Sequence, residues 1–537
     1  MEIDLALDAI IISDSGVNSV SGTNPLRLTL DGRTADIQVV LNYLTHQGQV
    51  RAPIAGDGEM SWASAPKLNG IYLFNYLTKN GFDVGLINSF YEQKDRFRRY
   101  LTETPRAVII STTFVVGKPT LYKLVDDIRD LAPDITIIVG GQFIYLSYLM
   151  MQRSREPDYD TVSARDDFLF LSTGNEPAVD CYIISLRGEQ ILCKALDNLK
   201  GNRSIRDLPN TARLEGNAYQ FSTRIDDIGT GEDFCIDWKS LPDSIFRRGV
   251  VPLQASIGCP YDCAFCNFTK DHRLTYIKPI DQLIAELKAV SERGARYVWF
   301  VDDNFRLGKG DLNSVCQRML DEGLNLKWMT FIRASTLKNV DVELLRHAGC
   351  TEVQLGLESA DPKMLLHMRK KANPDLYDEV LHKLLSGGIN CSCYFITGFP
   401  GETPESVQRT REFIISHQFA EYEGNLAWSI YPFLLTPLSP IYEPALREKY
   451  NLSGYMHNWE HRTMNSDQAK EHILQTFFEI ENSGPIYRGD NQDIFHRIGP
   501  QTRKKFEATR HLLSKAAVGG QLKKHDILHA FDALLSV

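Results

Sequence analysis

Apolar runs alternate with amphipathic stretches over the first 200 residues. Asn69 to Gly81 has the apolar spacing of a helix and ends in glycine, and Phe82 to Ile87 has the apolar content of a short strand. Residues 107–113 and 135–141 are continuous apolar runs of the kind buried in parallel sheets, and a helix is predicted between them, from about Thr120 to Leu131. This order predicts a doubly wound (Rossmann-like) α/β sheet, in which ligands bind at the carboxyl ends of the strands.

A second alternation runs from about residue 250 to residue 440. Helices such as the amphipathic stretch from Ile280 to Glu292, which Gly294 closes, separate six apolar runs. The six predicted strands are Val251–Ile257, Tyr297–Val301, Trp328–Ile332, Glu352–Leu357, Cys391–Thr397 and Leu426–Tyr431. Parallel strands with intervening helices predict a partial (β/α)6 barrel of the TIM type, whose functional groups lie at the carboxyl ends of the strands.

The remaining stretches complete the domain prediction. Residues 205–250 are rich in turn formers and are predicted as a linker between domain 1–204 and domain 251–440. Residues 441–537 are predicted as a mainly helical C-terminal region, with helical patterns at Ser466–Asn482 and Thr502–Val518. The segment from Trp459 to Met464 could face a substrate, but a packed cap is the favoured interpretation.

Composition limits the class of protein. A hydrophobic content of 43% and a charged content of 24% over 537 residues are those of a soluble protein with several domains. The sequence has no apolar run of about 18 residues and no basic secretory leader, so we expect no membrane association and a cytoplasmic location. The net charge of -9 argues against nucleic acid as the main partner. Ten cysteines in so long a chain do not indicate a disulfide framework.

Three of those cysteines carry the clearest chemical signal. Cys259, Cys263 and Cys266 follow one another at intervals of four and three residues, and no fourth cysteine lies near them. Three thiolates can hold three irons of a cubane cluster and leave the fourth iron open, whereas four cysteines would suggest closed zinc or a fully ligated cluster. Phe265 lies where its ring could cover a ligand on the open iron. Chance spacing of three structural cysteines is the alternative.

The cysteine motif closely resembles the signature of the radical S-adenosylmethionine (SAM) superfamily. The resemblance implies a [4Fe-4S] cluster on Cys259, Cys263 and Cys266, SAM as the second cofactor, and an external one-electron reductant of the flavodoxin or ferredoxin type. It also implies SAM contacts at successive strand ends of the barrel. These expected contacts are Phe265, Asp302, Asp303, Arg333, Glu358, Ser359, Ile396 and Tyr431.

Each expected SAM contact has a chemical reason and a structural alternative. Carboxylates at Asp302 and Asp303 would pair with the methionine ammonium, and Arg333 could hold the carboxylate of SAM in a fork. An Asp-Asp pair can equally be a helix cap, and a glutamate after a strand can be a salt-bridge partner. Glu402 lies one residue from the commonest superfamily spacing, so its role stays open. The sequence identifies no catalytic residue beyond the cofactor contacts.

The N-terminal segment resembles a cobalamin-binding domain. Pro66-x3-Gly70-x2-Leu73 and the strand ends at 111–113 and 140–142 resemble the domain that precedes many class B radical SAM enzymes, over about residues 55–200. The resemblance implies contacts of the nucleotide tail with the small and polar residues of those strand ends. These are Ser111, Thr112, Gly140, Gly141 and Gln142.

This chain departs from the classical cobalamin pattern in one respect. It lacks the Asp-x-His-x-x-Gly motif, and Asn88–Glu92, near the expected place, contains no histidine, so no histidine of this loop would ligate the cobalt. The alternative is a flavodoxin-like domain whose glycines only form turns.

Three classes of function remain open at this stage. The leading hypothesis is a cobalamin-dependent radical SAM enzyme that methylates an unactivated carbon of a small-molecule intermediate in natural-product or cofactor biosynthesis. The second is a radical SAM cyclase, rearrangement or dehydrogenation enzyme, with or without cobalamin. The third is a non-catalytic iron–sulfur or zinc protein. Modification of tRNA or protein is disfavoured by the acidic balance of the chain.

Overall fold

The computed structural model of this chain consists of two compact units. It describes residues 7–16, 26–46, 65–174, 176–226, 234–268, 275–308, 311–418, 421–520 and 522–535. One unit comprises residues 1–22 and 66–241, and the other comprises residues 23–65 and 242–537. Within the described ranges, every helix is too short or too polar to traverse a lipid bilayer.

The first unit contains a seven-stranded sheet. Its strands are β1 (Ala9–Ile12), β2 (Val84–Ile87), β3 (Ala107–Ser111), β4 (Thr136–Gly140), β5 (Cys181–Ile183), β6 (Thr211–Glu215) and β7 (Ala218–Phe221). They lie in the order β2-β1-β3-β4-β5-β6-β7, with β1 to β5 parallel and the last two antiparallel. The strand order reverses between β1 and β3, and doubly wound sheets bind their ligands at such a switch point. The predicted doubly wound fold is confirmed.

Helices connect the parallel strands of this sheet. They are Leu68–Lys79, Lys94–Leu101, Lys118–Leu131, Gln142–Arg153 and Glu189–Lys200. The sequence analysis missed β1, a run of four buried apolar residues that lies between β2 and β3. A run of four residues is too short to show a period, although its β-branched isoleucines favour a strand.

Much of the stretch predicted as a linker is ordered in the first unit. Residues 211–221 form the β6–β7 hairpin, and residues 234–241 belong to the same unit and contact the helix Leu68–Lys79. The side chain of Asn75 on that helix donates to the carbonyl of Cys235 (3.2 Å) and accepts from the backbone N–H of Asp237 (2.9 Å). The first unit therefore extends to Leu241.

The second unit contains a six-stranded parallel sheet. Its strands are β8 (Val250–Leu253), β9 (Tyr297–Phe300), β10 (Lys327–Phe331), β11 (Cys350–Glu358), β12 (Asn390–Thr397) and β13 (Leu426–Pro432). They pair in sequence order, so that β8 and β13 form the two edges and the sheet is a partial barrel, as predicted. The first strand ends earlier than predicted, because Ser256–Ile257 pairs with Tyr276–Ile277 in a separate antiparallel ribbon.

Helices surround this sheet and complete the second unit. They are Ile37–His46, Ile280–Glu292, Leu312–Asp321, Ala334–Leu337, Val342–His347, Pro362–His367, Pro374–Ser386, Pro404–Ser416, Pro444–Tyr450, Ser466–Glu479, Gln492–Val518 and Lys524–Leu535, with 3-10 turns at Asp243–Ile245 and Pro440–Tyr442. The helix Gln492–Val518 is interrupted at Gly499, where φ is 77°. The C-terminal region is mainly helical, as predicted.

A small antiparallel sheet lies within this C-terminal region. Its strands are Ser453–Tyr455, Asn458–His461 and Met464–Asn465, and a hairpin of Thr29–Leu30 with Arg33–Thr34 lies nearer the N-terminus of the chain. The indole Nε1 of Trp459 donates to the carbonyl of Phe433 (2.8 Å), and the Nε2 of His461 lies 3.1 Å from the carbonyl oxygen of Gly398. Both rings are buried, and the segment packs as a cap over the loop that follows β12.

Candidate active site

The three motif cysteines lie in a loop at the carboxyl edge of the barrel sheet. Cys263 is buried, and Cys259 and Cys266 are partly buried. The loop is fixed in its middle, because the N–H of Ala264 donates to the carbonyl of Met368 (2.8 Å) and its carbonyl accepts from the N–H of Ile441 (2.9 Å). The loop is therefore held by the segment after β11 and by the chain after β13.

Arg306 and Asp303 hold the start of this loop. The guanidinium of Arg306 donates to the carbonyls of Ile257 (2.9 Å) and Gly258 (3.0 Å), and a carboxylate oxygen of Asp303 accepts from the N–H of Gly258 (2.9 Å). Both side chains come from the stretch directly after β9. Asp303 also keeps an exposed surface, so it can meet a ligand as well as position Cys259.

Asp302 has a different environment from its neighbour. It is buried, and its two oxygens accept hydrogen bonds from the backbone of Ala255 (3.2 Å), the backbone of Ser256 and the hydroxyl of Ser256 (2.7 Å). Burial raises the pKa of Asp302 to about 7, although these hydrogen bonds oppose the shift. Its carboxylate is engaged in holding the backbone that leads into the cysteine loop.

Arg333, two residues after β10, lies against the cysteine loop. Its guanidinium carbon lies 3.7 Å from the ring centroid of Tyr261, its Nη1 lies 4.0 Å from the sulfur of Cys263, and its Nη2 donates to the carbonyl of Lys370. A guanidinium stacked on an aromatic ring is held in a defined orientation. Arg333 thus presents a fixed positive charge beside one of the three sulfurs.

Glu358 and Lys370 form a buried ion pair at the same edge of the sheet. The distance between Lys370 Nζ and Glu358 Oε1 is 2.7 Å, and the two side chains are 8% and 10% exposed. Glu358 has φ of 66°, a left-handed conformation that costs a non-glycine residue about 1–2 kcal/mol. Lys370 Nζ also lies 6.0 Å from the ring centroid of Phe265. The pair joins the end of β11 to the cysteine loop.

The other residues expected to contact SAM lie in two different settings. Ser359 is fully buried, and its hydroxyl accepts from the N–H of Asp361 (3.1 Å) and lies 3.2 Å from the hydroxyl of Thr410, so it belongs to a helix-end network. Ile396 and Tyr431 are register partners on β12 and β13 and are half-buried and exposed, respectively. These two side chains can form one wall of a ligand site.

Glu402, whose role the sequence left open, closes the loop after β12. It is buried, and its Oε2 accepts from the N–H of Gly398. Burial, and to a smaller extent the nearby carboxylate of Asp361, raises the pKa of Glu402 to about 8, although the hydrogen bond from Gly398 opposes the shift. Its contacts in this structure stabilise the loop backbone.

The three thiols of the cysteine loop fit an iron–sulfur cluster that has one open iron. In the described part of the chain, no three His, Cys, Asp or Glu side chains converge as they would around one ion. Each cysteine of a cubane site binds its own iron, so its three sulfurs need not converge on one point. Burial raises the pKa of Cys259 and raises that of Cys266 to about 11, so the metal-free thiols must lose protons when iron binds.

A second candidate site lies at the carboxyl edge of the first sheet. Asn69 Nδ2 donates to the carbonyl of Ser13 (2.9 Å), after β1, and to the hydroxyl of Ser111 (2.8 Å), at the end of β3. Thr112 donates from its N–H and its hydroxyl to the carbonyl of Gly140 (2.8 and 2.9 Å). Asn69 thus bridges the two strands at the switch point, and Thr112 ties the end of β3 to β4.

Glycines allow a close approach at this edge. Gly141 has φ of 106°, and a Cβ there would lie 3.0 Å from the backbone nitrogen of Thr112. Gln142, directly after it, begins the helix Gln142–Arg153 and is partly buried. A Cβ at Gly70 would lie 1.7 Å from the hydroxyl of Ser13, which shows how closely this helix approaches β1.

Three buried polar atoms of this edge support a ligand site. Among the described residues, Ser13 Oγ, Ser89 Oγ and Asn69 Oδ1 are buried without a hydrogen-bond partner. An unsatisfied buried polar atom costs about 1–3 kcal/mol, and a polar ligand would remove that cost. The exposed ring of Phe114, just after β3, adds apolar surface. Small residues, unpartnered hydroxyls and an apolar rim fit a nucleotide tail with a macrocycle above it.

Several residues of these two sites were missed in the sequence analysis, and three of them lie next to recognised motifs. Lys370 lies in the basic run Arg369 to Lys371, Tyr261 lies inside the cysteine motif, and Asn69 opens the predicted first helix. The only sequence signal was their position next to recognised motifs. Their roles depend on partners 12 to 72 residues away in the sequence.

Comparison with known proteins finds a family match within the barrel. The sequence pattern of the Radical SAM superfamily matches residues 253–414. An uncharacterised methyltransferase of Pyrococcus horikoshii is 26% identical over 44% of this chain and 53% of its own length. The anaerobic magnesium-protoporphyrin IX monomethyl ester cyclase of Cereibacter sphaeroides is 24% identical over 72% of this chain and 61% of its own length. The chain thus spans between half and two thirds of the length of these relatives.

Solved structures support the fold of the whole chain. The cobalamin-dependent S-adenosylmethionine radical enzyme OxsB, with aqua-cobalamin and S-adenosylmethionine bound, superposes with a TM-score of 0.58 at 14% identity. The superposition covers 99% of this chain and 76% of that protein. At this identity the likeness shows the fold: a doubly wound domain, a partial barrel and a helical region in the same chain.

Proposed function

We propose that this chain, in which residues 253–414 form a radical SAM domain, is a cobalamin-dependent radical SAM enzyme that methylates an unactivated carbon of a small molecule. The substrate we propose is an intermediate of natural-product or cofactor biosynthesis. The observation that carries the proposal is the cysteine loop at the carboxyl edge of the barrel sheet, with Arg333 and the Lys370–Glu358 pair against it.

The barrel residues would bind and orient the cofactors. Cys259, Cys263 and Cys266 would hold the cluster, and Phe265 would lie over its open side. The cluster, when bound, supplies the electron that cleaves SAM to methionine and a 5'-deoxyadenosyl radical. Arg333 would bind the SAM carboxylate, because its guanidinium is already oriented beside Cys263 by the ring of Tyr261.

The remaining contacts with SAM follow from side-chain exposure. Asp303 would accept from the SAM ammonium, since the residue keeps exposed surface, whereas Asp302 would act through the backbone of Ser256. Glu358 would bind the ribose or amino group with its orientation set by Lys370. Ile396 and Tyr431 would flank the adenine. Ser359, being fully buried, would hold the chain after Glu358 in place.

The first unit would bind cobalamin by its nucleotide tail. Ser111, Thr112, Gly140, Gly141 and Gln142 would line the tail. The buried oxygens of Ser13, Ser89 and Asn69 that have no hydrogen-bond partner would provide additional polar contacts with the tail. Cobalamin carries the methyl group between SAM and the substrate. No histidine occurs in 88–92, so the cobalt would bind without a lower histidine ligand from that loop.

Two matched variants test the cofactors. Wild-type protein purified with cobalamin and reconstituted with iron and sulfide should show corrin bands beside a broad cluster absorption. Cys263→Ser should lose the cluster absorption and keep the corrin bands. Cys316→Ser is the control, because this buried cysteine lies on the helix Leu312–Asp321, outside the motif. Equal loss of iron in both variants would contradict the assignment of the motif.

Labelled SAM tests the reaction. With a low-potential reductant, the enzyme should form 5'-deoxyadenosine and methionine, and S-adenosylhomocysteine should report transfer of the methyl group out of SAM. Formation of 5'-deoxyadenosine and methionine without S-adenosylhomocysteine would exclude the methyltransferase proposal. That result would favour the second candidate, a radical SAM cyclase or related enzyme. The observation behind this candidate is that the cyclase of Cereibacter sphaeroides aligns with 72% of this chain.

The proposed partners are a small-molecule substrate and an external one-electron carrier of the flavodoxin or ferredoxin type. Such a carrier and thiolate ligands both require a reducing compartment, for which we propose the cytoplasm.

A further inference from the structure

The cysteine loop reaches the protein surface between its first two cysteines. Pro260 and Asp262 are exposed, although Cys263 itself is buried. Each of the two exposed residues is the immediate chain neighbour of a proposed cluster ligand. This loop therefore offers a short path between solvent and the cluster site.

Two basic residues are held beside this exposed part of the loop. Arg369 and Lys371 have φ of 53° and 50°, and this left-handed backbone turns Lys370 inward while both neighbours stay exposed. Arg369 Nη1 and Lys371 Nζ lie 4.0 and 3.7 Å from the carboxylate of Asp262. Exposed ion pairs of this length contribute little to stability, so an incoming carboxylate can compete with Asp262 for both residues.

The basic character extends beyond these two residues. The short helix Pro362–His367 exposes Lys363 and also Leu366, which is 77% exposed. The ring of His367 lies 5.7 Å from that of Tyr450, whose carbonyl accepts from the N–H of Arg462 (3.1 Å). These contacts connect the helix that carries Lys363 to Tyr450 and Arg462, and Lys449 directly precedes Tyr450 in the chain.

We call this set the basic surface. It comprises the exposed side chains of Lys363, Leu366, Arg369, Lys371, Lys449 and Arg462. The exposed acids nearest to them in the chain and the contacts are Asp262, Asp375, Glu448 and Glu460, fewer than the five basic side chains. Basic side chains are therefore in excess here, on a chain whose net charge is -9. An exposed leucine surrounded by basic residues is typical of a protein-binding surface.

We propose that the basic surface docks the one-electron carrier, an acidic protein of the flavodoxin type. This inference rests on the proposed function, because it presumes a cluster on Cys259, Cys263 and Cys266. One electron leaves the reduced flavin of the carrier, which is oxidised by one electron, and the cluster of this chain accepts it. Charge complementarity selects an acidic carrier, and electron-transfer complexes are small, transient and steered by charge.

The test is the rate at which reduced flavodoxin is oxidised by the cluster-loaded protein in a stopped-flow spectrometer. The variant Arg369→Glu/Lys371→Glu should lower the second-order rate constant by about tenfold or more at low salt, because charge steering accelerates association by 10-fold to 1000-fold. High salt should slow the wild-type protein and should leave the variant almost unchanged.

A matched control carries the same change in charge elsewhere. Lys288→Glu/Arg318→Glu alters two exposed side chains on the helices Ile280–Glu292 and Leu312–Asp321, which follow β8 and β9. This control should keep the wild-type rate. A rate loss of equal size in the control, or no loss in Arg369→Glu/Lys371→Glu, would overturn the proposed docking surface.

Dithionite separates this inference from the proposed function. SAM cleavage driven by dithionite, a small reductant, should be the same in wild type and in Arg369→Glu/Lys371→Glu. Absence of dithionite-driven cleavage from the wild type would contradict the proposed function itself. The single variant Leu366→Asp gives a second measurement, since its exposed side chain has little role in folding. It should slow flavodoxin oxidation without changing the cluster absorption, and an unchanged rate would count against the surface.

Discussion

The buried pair of Lys370 and Glu358 gives the sharpest stability prediction. Lys370→Met removes the ammonium group and keeps an apolar stem of similar length, so that the carboxylate of Glu358 is left buried without its partner. Removing one member of a buried pair costs about 3–5 kcal/mol. With Nζ and Oε1 2.7 Å apart and both side chains about one-tenth exposed, we expect a loss near the lower end of that range, since Glu358 keeps some contact with solvent.

Anaerobic calorimetry of the cluster-loaded protein measures this loss. The thermal transition of the second unit should fall by several degrees in Lys370→Met, since 1 kcal/mol shifts Tm by about 2–4 °C in a domain of about 150–250 residues and by somewhat less in a larger unit. The double variant Lys370→Met/Glu358→Gln should recover most of the loss, because no buried charge is then left unpaired. Lys338→Met, at an exposed position of the same unit, is the control and should change the transition by less than about 0.5 kcal/mol.

Binding of SAM provides an independent readout for the same variant. If Lys370 orients Glu358 toward SAM, Lys370→Met should raise the Kd for SAM by at least about tenfold, which is 1.4 kcal/mol. The reasoning is refuted if Lys370→Met loses less than about 1 kcal/mol and the effects of the two substitutions are additive, since an additive result means that the pair does not couple.

Three further predictions concern other residues. Gly141→Ala should reduce cobalamin retention, since a Cβ there would lie 3.0 Å from the backbone nitrogen of Thr112. Gly81→Ala is the control and should retain cobalamin, because Gly81 also has a positive φ but a Cβ there would have no atom within 4 Å. Equal loss of cobalamin in both variants would assign the effect to backbone strain. Burial raises the folded-state pKa of Glu402 to about 8, so its contribution to stability is complete below about pH 4.5 and is lost as the pH rises through 8. Glu402→Gln should flatten the dependence of the unfolding temperature on pH between about 4.5 and 8, measured by calorimetry. Identical pH profiles for the wild type and the variant would contradict the raised pKa of Glu402. Arg333→Lys should weaken SAM binding in equilibrium dialysis, because lysine cannot provide a planar fork stacked on Tyr261, and an unchanged Kd would exclude a bidentate contact.

The barrel shows which elements the local sequence pattern can predict. All six predicted strands are present, because each is an apolar run long enough to be recognised and is followed by an amphipathic helix. The same reasoning missed the four residues of β1 and the antiparallel strands between residues 453 and 465. Those strands are short, and their pairing partners rather than their periodicity define them.

The neighbouring residues Asp302 and Asp303 show where sequence reasoning stopped in the site. Both were expected to meet SAM, since both carboxylates follow the second barrel strand. In the structure Asp302 is buried against the backbone of Ala255 and Ser256, whereas Asp303 remains exposed beside Gly258. Adjacent side chains point in different directions, and only the folded chain decides which of them meets solvent.

The sequence alone determined the six strands of the barrel, their order along the chain and the spacing of the three cysteines, because these depend on periodicity and on spacing within a few residues. Only the tertiary structure decided which charged groups lie beside the cysteine loop. Arg333 lies 70 residues from Cys263 in the sequence, and Lys370 reaches Glu358 because the chain between them turns back through the helix Pro362–His367 and the left-handed residue Arg369. Such contacts arise from the packing of distant segments, which no local pattern encodes.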